Sequence, residues 1–128
     1  RNLFSWRLGF NKVTGTLPTE LAKLTNLETF MANANELRGT VPSELLQLPK
    51  LSIFSLRLNK LTGSIPTELG VMRQLRKLRL NDNMFSGQIP TEICNMRNLS
   101  LLFLSNNRLS GEIPSCISQL TSLIALTF

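Results

Sequence analysis

The sequence predicts a repetitive α/β fold, in which short parallel strands alternate with short helical turns along a solenoid. Two observations support this prediction: a period of 24 residues, and an apolar-x-apolar step in successive units. Three residue types hold the same phase through five cycles: Asn11, Asn35, Asn59, Asn83 and Asn107, then Gly15, Gly39, Gly63, Gly87 and Gly111, then Pro18, Pro42, Pro66, Pro90 and Pro114. Such regularity indicates stacked units that bury their apolar faces against their neighbours.

Each unit is predicted to begin with a strand. Leu78 and Leu80 show the period of two that is typical of a short strand whose apolar residues face the core. The asparagine that follows can satisfy main-chain groups of the turn with its side-chain amide, so stacked asparagines are expected to form a ladder. Glycine permits the next tight turn. Proline at the first helical position, with glutamate two residues later, suits the start of a short helical turn on the convex side.

The composition argues against an enzyme. The 128 residues include no histidine and a single aspartate, Asp82, so a Ser-His-Asp triad and a histidine-ligated zinc site are excluded. An acidic column recurs at Glu20, Glu44, Glu68 and Glu92, but a helix N-terminus explains it better than paired catalytic carboxylates do. We therefore expect a non-enzymatic chain that needs no metal and no cofactor and has no small-molecule substrate.

The repeat resembles that of a known family. One unit reads Leu75, Leu78, Leu80, Asn83, Phe85, Gly87, Ile89 and Pro90, and the next unit repeats this spacing. The pattern resembles the plant-specific subtype of the leucine-rich repeat family, as found in receptor-kinase ectodomains and polygalacturonase-inhibiting proteins. The resemblance covers residues 1–128 as a single domain of about five repeats and a starting strand for a sixth. It implies an α/β right-handed solenoid, or horseshoe, with a concave parallel β-sheet and short helical turns on the convex side.

The resemblance also implies an extracellular or cell-surface location, although an intracellular complex subunit stays open. Family members usually protect both ends of the solenoid with caps, and this sequence shows neither cap. Apolar residues are therefore expected on open core edges, at Leu3, Trp6 and Leu8 in the first coil and at Leu123, Leu126 and Phe128 in the last. Either the chain belongs to a longer protein, or a neighbouring chain covers its ends, or only the ordered part is represented; the first and third explanations are favoured.

The candidate binding residues flank the apolar strand positions, which places them on the concave face that the family commonly uses for ligands. This face holds five basic and two acidic residues, and so carries half of the formal net charge of +6. Arg76, Lys77 and Arg79 form the densest basic cluster, and Arg57 is expected about 4.8 Å away on the next strand. The other candidates are Asp82 and the apolar residues Met31, Leu58, Leu101 and Phe103. Arginine beside exposed aromatic rings is typical of an interface centre, whereas the alternative is an ordinary solvated face.

Two further features carry less information. Asn98-Leu99-Ser100 fits the N-glycosylation acceptor pattern, although this composition produces such triplets by chance. Cys94 and Cys116 lie 22 residues apart, close to one repeat, and are expected on adjacent convex turns. Either a disulfide or two free thiols fits this spacing, and free thiols are favoured because a bridge needs tight geometry.

The favoured function is recognition of a protein or peptide, with an acidic partner indicated by the basic face. The main alternative is a structural scaffold subunit whose open ends pack on other chains. Ice binding is a minor alternative, because Thr16 and Thr40 begin a threonine column that Ser64, Gln88 and Glu112 interrupt. Nucleic acid is disfavoured as a partner because aromatic residues do not interleave with the basic strand. No stretch approaches the roughly 18 apolar residues of a membrane helix, so no transmembrane segment is expected.

Overall fold

A computed structural model describes residues 2–128, and its main element is a six-stranded parallel sheet. The strands follow chain order across the sheet and are β1 (Ser5–Arg7), β3 (Thr29–Met31), β5 (Ile53–Ser55), β7 (Lys77–Arg79), β9 (Leu101–Phe103) and β11 (Ala125–Thr127). Each strand of this sheet pairs with its neighbour one repeat away, as Phe30 pairs with Phe54. The sheet confirms the predicted solenoid and the starting strand of a sixth unit, and we call it the concave sheet.

A second set of strands lies after each asparagine turn, where the sequence predicted only turns. Three strands form one small parallel sheet, β2 (Thr14–Gly15), β4 (Glu36–Gly39) and β6 (Lys60–Leu61), and two form another, β8 (Ser86–Gly87) and β10 (Arg108–Leu109). An isolated β-bridge between Ser64 and Ser86 connects the two small sheets. These strands extend the main-chain bonding between repeats onto a second side of the solenoid.

Among the described residues, the convex side carries five 3-10 helices, one in each repeat. They span Thr19–Lys23, Ser43–Gln47, Thr67–Val71, Thr91–Asn95 and Ser115–Gln119. The prediction that proline takes the first helical position was wrong by one residue. Pro66, for example, is extended, with φ −68° and ψ 139°, and its carbonyl accepts the bond from Leu69 N–H at 3.2 Å. Proline therefore precedes the helix, and its ring restricts the backbone φ angle of the residue that leads into it.

The core runs as a continuous stack between the sheet and the helices. The middle residue of each inner strand is buried, as Phe30, Phe54, Leu78 and Leu102 show. Trp6 packs edge-on against Phe30, with ring centroids 5.3 Å apart, and continues this stack into the first coil. Of the apolar residues predicted on the terminal coils, Leu3, Leu126 and Phe128 are exposed. Trp6, Leu8 and Leu123 are half-buried.

The asparagine ladder is present and spans adjacent repeats. The Asn83 amide nitrogen donates to the carbonyls of Leu80 and of Leu56 in the preceding repeat, at 3.1 and 3.0 Å. Its oxygen accepts from Leu61 N–H at 3.0 Å. Asn35, Asn59 and Asn107 repeat this pattern. The residue before each asparagine is held in the left-handed region, at φ values between 51° and 59°.

The two cysteines form a disulfide, so the preference for free thiols was wrong. Cys94 and Cys116 lie on successive convex turns with Cα atoms 5.9 Å apart, which is within the range that a bridge spans. The sequence separation of 22 residues, close to one repeat, brings the two positions into neighbouring coils. The bridge therefore ties the last complete repeat to the one before it.

Candidate binding surface on the concave sheet

The concave sheet sets the spacing of the candidate binding residues. Its register places Met31, Ser55, Arg79 and Phe103 side by side in one row across four strands. A parallel row places Lys77 between Ile53 and Leu101. Because residues two apart on a strand share a face, both rows point away from the core. The structure therefore brings most of the predicted residues onto one surface.

Arg79 is the most constrained basic residue of this surface. Its Cζ atom lies 5.9 Å from the centroid of the Phe103 ring, which is within the range of a cation–π contact. The side chain is only half exposed, and its Nε atom is buried without a hydrogen-bond partner. The Phe103 ring thus contacts the guanidinium on one side, while its Nε–H group has no acceptor among the described residues.

Three polar residues of this surface were not among the predicted binding residues. Ser55, Asn33 and Asn81 each carry a buried side-chain oxygen that has no hydrogen-bond partner in the described chain. Ser55 lies next to Arg79 in the register, whereas Asn33 and Asn81 occupy the next row, two residues further along their repeats. Unpaired buried polar atoms are uncommon in folded proteins and are often explained by a ligand or an ordered water. Their sequence signal is weak, because they occupy variable positions of the repeat.

The basic side chains of this surface form no ion pair among the described residues. Within residues 2–128 the single ion pair joins Lys60 Nζ to Glu36 Oε2, at 2.9 Å, on the side that carries the small sheets. The hydrogen bond from Lys60, together with its positive charge, lowers the pKa of Glu36 below its usual value. We call Arg57, Arg76, Lys77 and Arg79 the basic patch; each of these side chains lacks a carboxylate within ion-pairing distance among the described residues. An unpaired cluster of this kind favours an acidic ligand.

Asp82 does not compensate the basic patch. One of its carboxylate oxygens accepts from the Asn81 amide at 2.6 Å, and the other accepts from the Asn106 amide at 2.7 Å. Asp82 also has a left-handed backbone, with φ 58°. These contacts give its side chain a role in holding the turn together, in addition to the surface position that was predicted for it.

The remaining candidates frame the basic patch. Met31, Leu101 and Phe103 are half-buried, and Leu58 is 42 % exposed beside Arg57. Arg76 lies at the amino end of β7, where it lines an open depression of about 490 Å³ together with Glu28, Pro49, Lys50, Ser52 and Gln74. The surface thus combines positive charge with partly exposed apolar side chains.

The side chains that could bind a metal ion are dispersed over the described residues. Across residues 2–128, no three His, Cys, Asp or Glu side chains lie close enough together to hold a metal ion. None of the described helices is sufficiently long and apolar to span a bilayer. What this arrangement offers a ligand is charge, apolar contact and unpaired hydrogen-bonding groups.

Comparison with known proteins agrees with this geometry. The family model of the leucine-rich repeat matches residues 74–96 and 98–120. One chain of the BIR3–SERK2 complex from Arabidopsis thaliana is 32 % identical, with a TM-score of 0.89, over 99 % of this chain and 71 % of that one. The chain belongs to the plant-type leucine-rich repeat family. No curated protein sequence matches it.

Two longer leucine-rich repeat structures are similar to this one. A TDR receptor has a TM-score of 0.95 and 36 % identity over 97 % of this chain and 22 % of its own. The Arabidopsis receptor kinase HAESA, in complex with the peptide hormone IDA and the co-receptor SERK1, has a TM-score of 0.92 and 36 % identity over 94 % of this chain and 20 % of its own. This leucine-rich repeat chain therefore spans about a fifth of the length of either receptor chain.

Proposed function

We propose that this chain is a non-enzymatic recognition module that binds an acidic segment of a protein or peptide across the concave sheet. The observation that carries the proposal is the basic patch: Lys77 and Arg79 occupy the outward rows of β7, and Arg76 lies at the amino end of that strand. Among the described residues, no member of the patch has a carboxylate within ion-pairing distance. Burying an ion without a partner is costly, so a ligand carboxylate that meets these groups gains charge-assisted hydrogen bonds. Phe103 and Leu101 border the patch and favour an apolar ligand group beside the acidic one.

The similar structures support recognition of a protein or peptide as the function. HAESA is described in complex with a peptide hormone and a co-receptor, and another similar structure is described as the plant peptide hormone receptor RGFR1 in complex with RGF2. These are the ligands of those proteins. For this chain, the same fold with a basic face that forms no ion pair among the described residues supports a polypeptide partner of opposite charge.

The proposed location is extracellular or on the cell surface. The similar structures include ectodomains of plant membrane receptor kinases. The Cys94–Cys116 disulfide supports the same location, because such bonds persist in oxidising compartments and are rare in the cytosol.

A charge-reversal experiment tests the binding face. The variant Arg76→Glu/Arg79→Glu is compared with Arg38→Glu/Arg108→Glu, which changes the net charge equally but lies in the small sheets. The probes are synthetic peptides rich in Asp and Glu, together with the same peptides carrying Asn and Gln instead. We expect the first variant to weaken binding of acidic peptides roughly tenfold or more, which corresponds to about 1.4 kcal/mol. Equal weakening by both variants would refute the concave assignment.

A scaffold subunit is the second candidate function, and exposed apolar side chains of the inner repeats favour it. Val71 on the convex side is 63 % exposed, and Leu58 on the concave side is 42 % exposed. Native mass spectrometry distinguishes the two functions, because a scaffold forms a discrete complex of several chains. A recognition module instead binds its peptide reversibly as a single chain.

A further inference from the structure

We infer that Asn98 is an N-glycosylation site, so that a glycan stands on the edge of the concave sheet at the amino ends of its strands. The inference goes beyond peptide binding and rests on the proposed extracellular location. The Asn98-Leu99-Ser100 triplet alone says little, because it is expected by chance in this composition. The structure adds the exposure of the Asn98 side chain and the space around it.

The Asn98 side chain is exposed and is compatible with a covalent branch. Its amide nitrogen donates one hydrogen bond, to the Arg73 carbonyl in the preceding repeat, at 2.8 Å. A primary amide carries two N–H groups, so a glycosylated nitrogen keeps one N–H for this bond. The side chain borders an open depression of about 330 Å³ that Arg73, Asn95 and Arg97 also line. The first sugar therefore has room without displacing core residues.

The folded acceptor triplet also fixes when the modification takes place. Leu99 is fully buried, and the Ser100 hydroxyl donates to the Arg76 carbonyl at 2.9 Å. A transferase needs access to the whole triplet, and the folded repeat withholds its middle residue. Transfer must therefore precede folding of this repeat, while the chain enters the secretory pathway.

The chemical step needs a lipid-linked oligosaccharide pyrophosphate as the sugar donor. The Asn98 amide nitrogen attacks the anomeric carbon of the first sugar, and a carbon–nitrogen bond forms. The carbon–oxygen bond to the pyrophosphate breaks, so that the lipid pyrophosphate leaves and the amide loses one proton. No oxidant or reductant takes part.

The position of the glycan constrains how a partner approaches. Asn98 lies three residues before β9 begins at Leu101, on the same edge as the Arg76 depression. A glycan there limits the approach from this edge, which includes the approach to Arg76. The row of Arg79 and Phe103 and the opposite edge of the sheet stay open to a peptide. The glycan therefore makes one edge of the concave sheet less accessible to a partner than the other.

The test uses the 128-residue chain secreted from plant cells through an added signal peptide. Intact mass is measured before and after treatment with a peptide N-glycosidase. Ser100→Thr keeps the acceptor triplet, whereas Ser100→Ala removes it and leaves Asn98 in place. We expect a glycosidase-sensitive mass in the wild type and in Ser100→Thr, and its loss in Ser100→Ala. A wild-type chain with the mass of the bare polypeptide would overturn the inference.

Two further measurements distinguish an error in the glycosylation site from an error in the proposed location. The mass is read on secreted and retained chains alike, because transfer before folding also marks a variant that folds poorly. Free thiols are counted in the same samples. A bare chain with a closed Cys94–Cys116 bridge means that the glycosylation site is wrong while the proposed location stands. A bare chain with free thiols that stays inside the cell counts against both.

Discussion

The side-chain oxygen of Asn59 accepts a hydrogen bond from the main-chain N–H of Leu37 at 3.1 Å. The amide nitrogen of the same residue donates to the carbonyls of Ala32 and Leu56, at 2.9 and 3.0 Å. One buried side chain thus satisfies main-chain groups in two successive repeats. Because each repeat contacts only its neighbours, such bonds couple the repeats into one folding unit.

Asn59→Ala is expected to lower the free energy of unfolding by about 2–4 kcal/mol, because it leaves several buried main-chain groups without partners. Asn11→Ala is the matched control: the Asn11 side chain is exposed and bonds only to Leu8 and Gly9 of its own turn. We expect the control to cost less than about 0.5 kcal/mol. Urea unfolding of both variants measures the difference. Equal losses would show that the ladder bonds between repeats contribute no more than the local ones.

The disulfide between Cys94 and Cys116 is expected to stabilise the last repeat. Closing a loop between residues 22 apart contributes about 3 kcal/mol through the entropy of the unfolded chain. Addition of a reductant should therefore lower the urea midpoint of the wild-type chain. The Cys94→Ser/Cys116→Ser variant should show the lowered midpoint already and should not respond to reductant. A wild-type midpoint that is unchanged on complete reduction would contradict this prediction.

The sequence predicted the concave sheet, the asparagine ladder and the glycine turns because each depends on a residue type that recurs in phase. The small sheets escaped prediction because the glycine that recurs in these strands indicates a turn rather than a strand, as in the pairing of Gly39 with Leu61. The residues beside it vary, as in the pairing of Arg38 with Lys60. The disulfide also escaped, because a separation of 22 residues places two cysteines near each other without fixing the Cα distance of 5.9 Å.

The candidate site was predictable in position but not in detail. The phase of the repeat places Lys77 and Arg79 on the outer face of β7, beside Leu101 and Phe103 of β9. Whether a polar side chain there is satisfied depends on its rotamer and on the bulk of its neighbours. The unpaired oxygen of Ser55 therefore became visible only in three dimensions. Sequence gives the face, whereas packing decides which atoms remain available to a ligand.

Gly70 is expected to be indispensable for the packing of two convex helices. A Cβ atom there would lie 2.8 Å from both the Cβ atom and the main-chain oxygen of Glu92, and this main-chain oxygen cannot move aside. We expect Gly70→Ala to cost about 1–3 kcal/mol through overpacking. Gly9→Ala is the control, because its nearest contact would be an ordinary 3.4 Å from the Asn33 carbonyl. Thermal unfolding compares the stability of the two variants, and equal midpoints would contradict the prediction.

The Lys60–Glu36 pair predicts a small dependence of stability on pH. Lys60 lowers the pKa of Glu36 in the folded chain, so the folded state favours the ionised carboxyl more than the unfolded state does. The contribution is therefore present at neutral pH and is lost as the pH falls through the lowered pKa. Both side chains are exposed, so the effect is small and is screened by salt.

Glu36→Gln should be slightly less stable than the wild type at neutral pH and low ionic strength. The difference should vanish at a pH well below the carboxyl pKa, and also in high salt. Thermal midpoints of the two proteins under these conditions measure the effect. A difference that persists in acid would assign it to packing of the side chain rather than to its charge.

Leu58 is expected to favour ligand contact at the expense of stability. It is held at φ 56° although it is not a glycine, and its side chain is 42 % exposed beside Arg57. A left-handed backbone costs most residues roughly 1–2 kcal/mol, and asparagine adopts it more readily. We therefore expect Leu58→Asn to raise the thermal midpoint by about 3–6 °C, corresponding to a gain of about 1 kcal/mol. Ile113→Asn, at an exposed position without a positive φ, should bring no such gain. If Leu58 also contacts the ligand, the stabilised variant should bind acidic peptides more weakly, whereas a variant that is both more stable and fully competent would remove Leu58 from the binding surface.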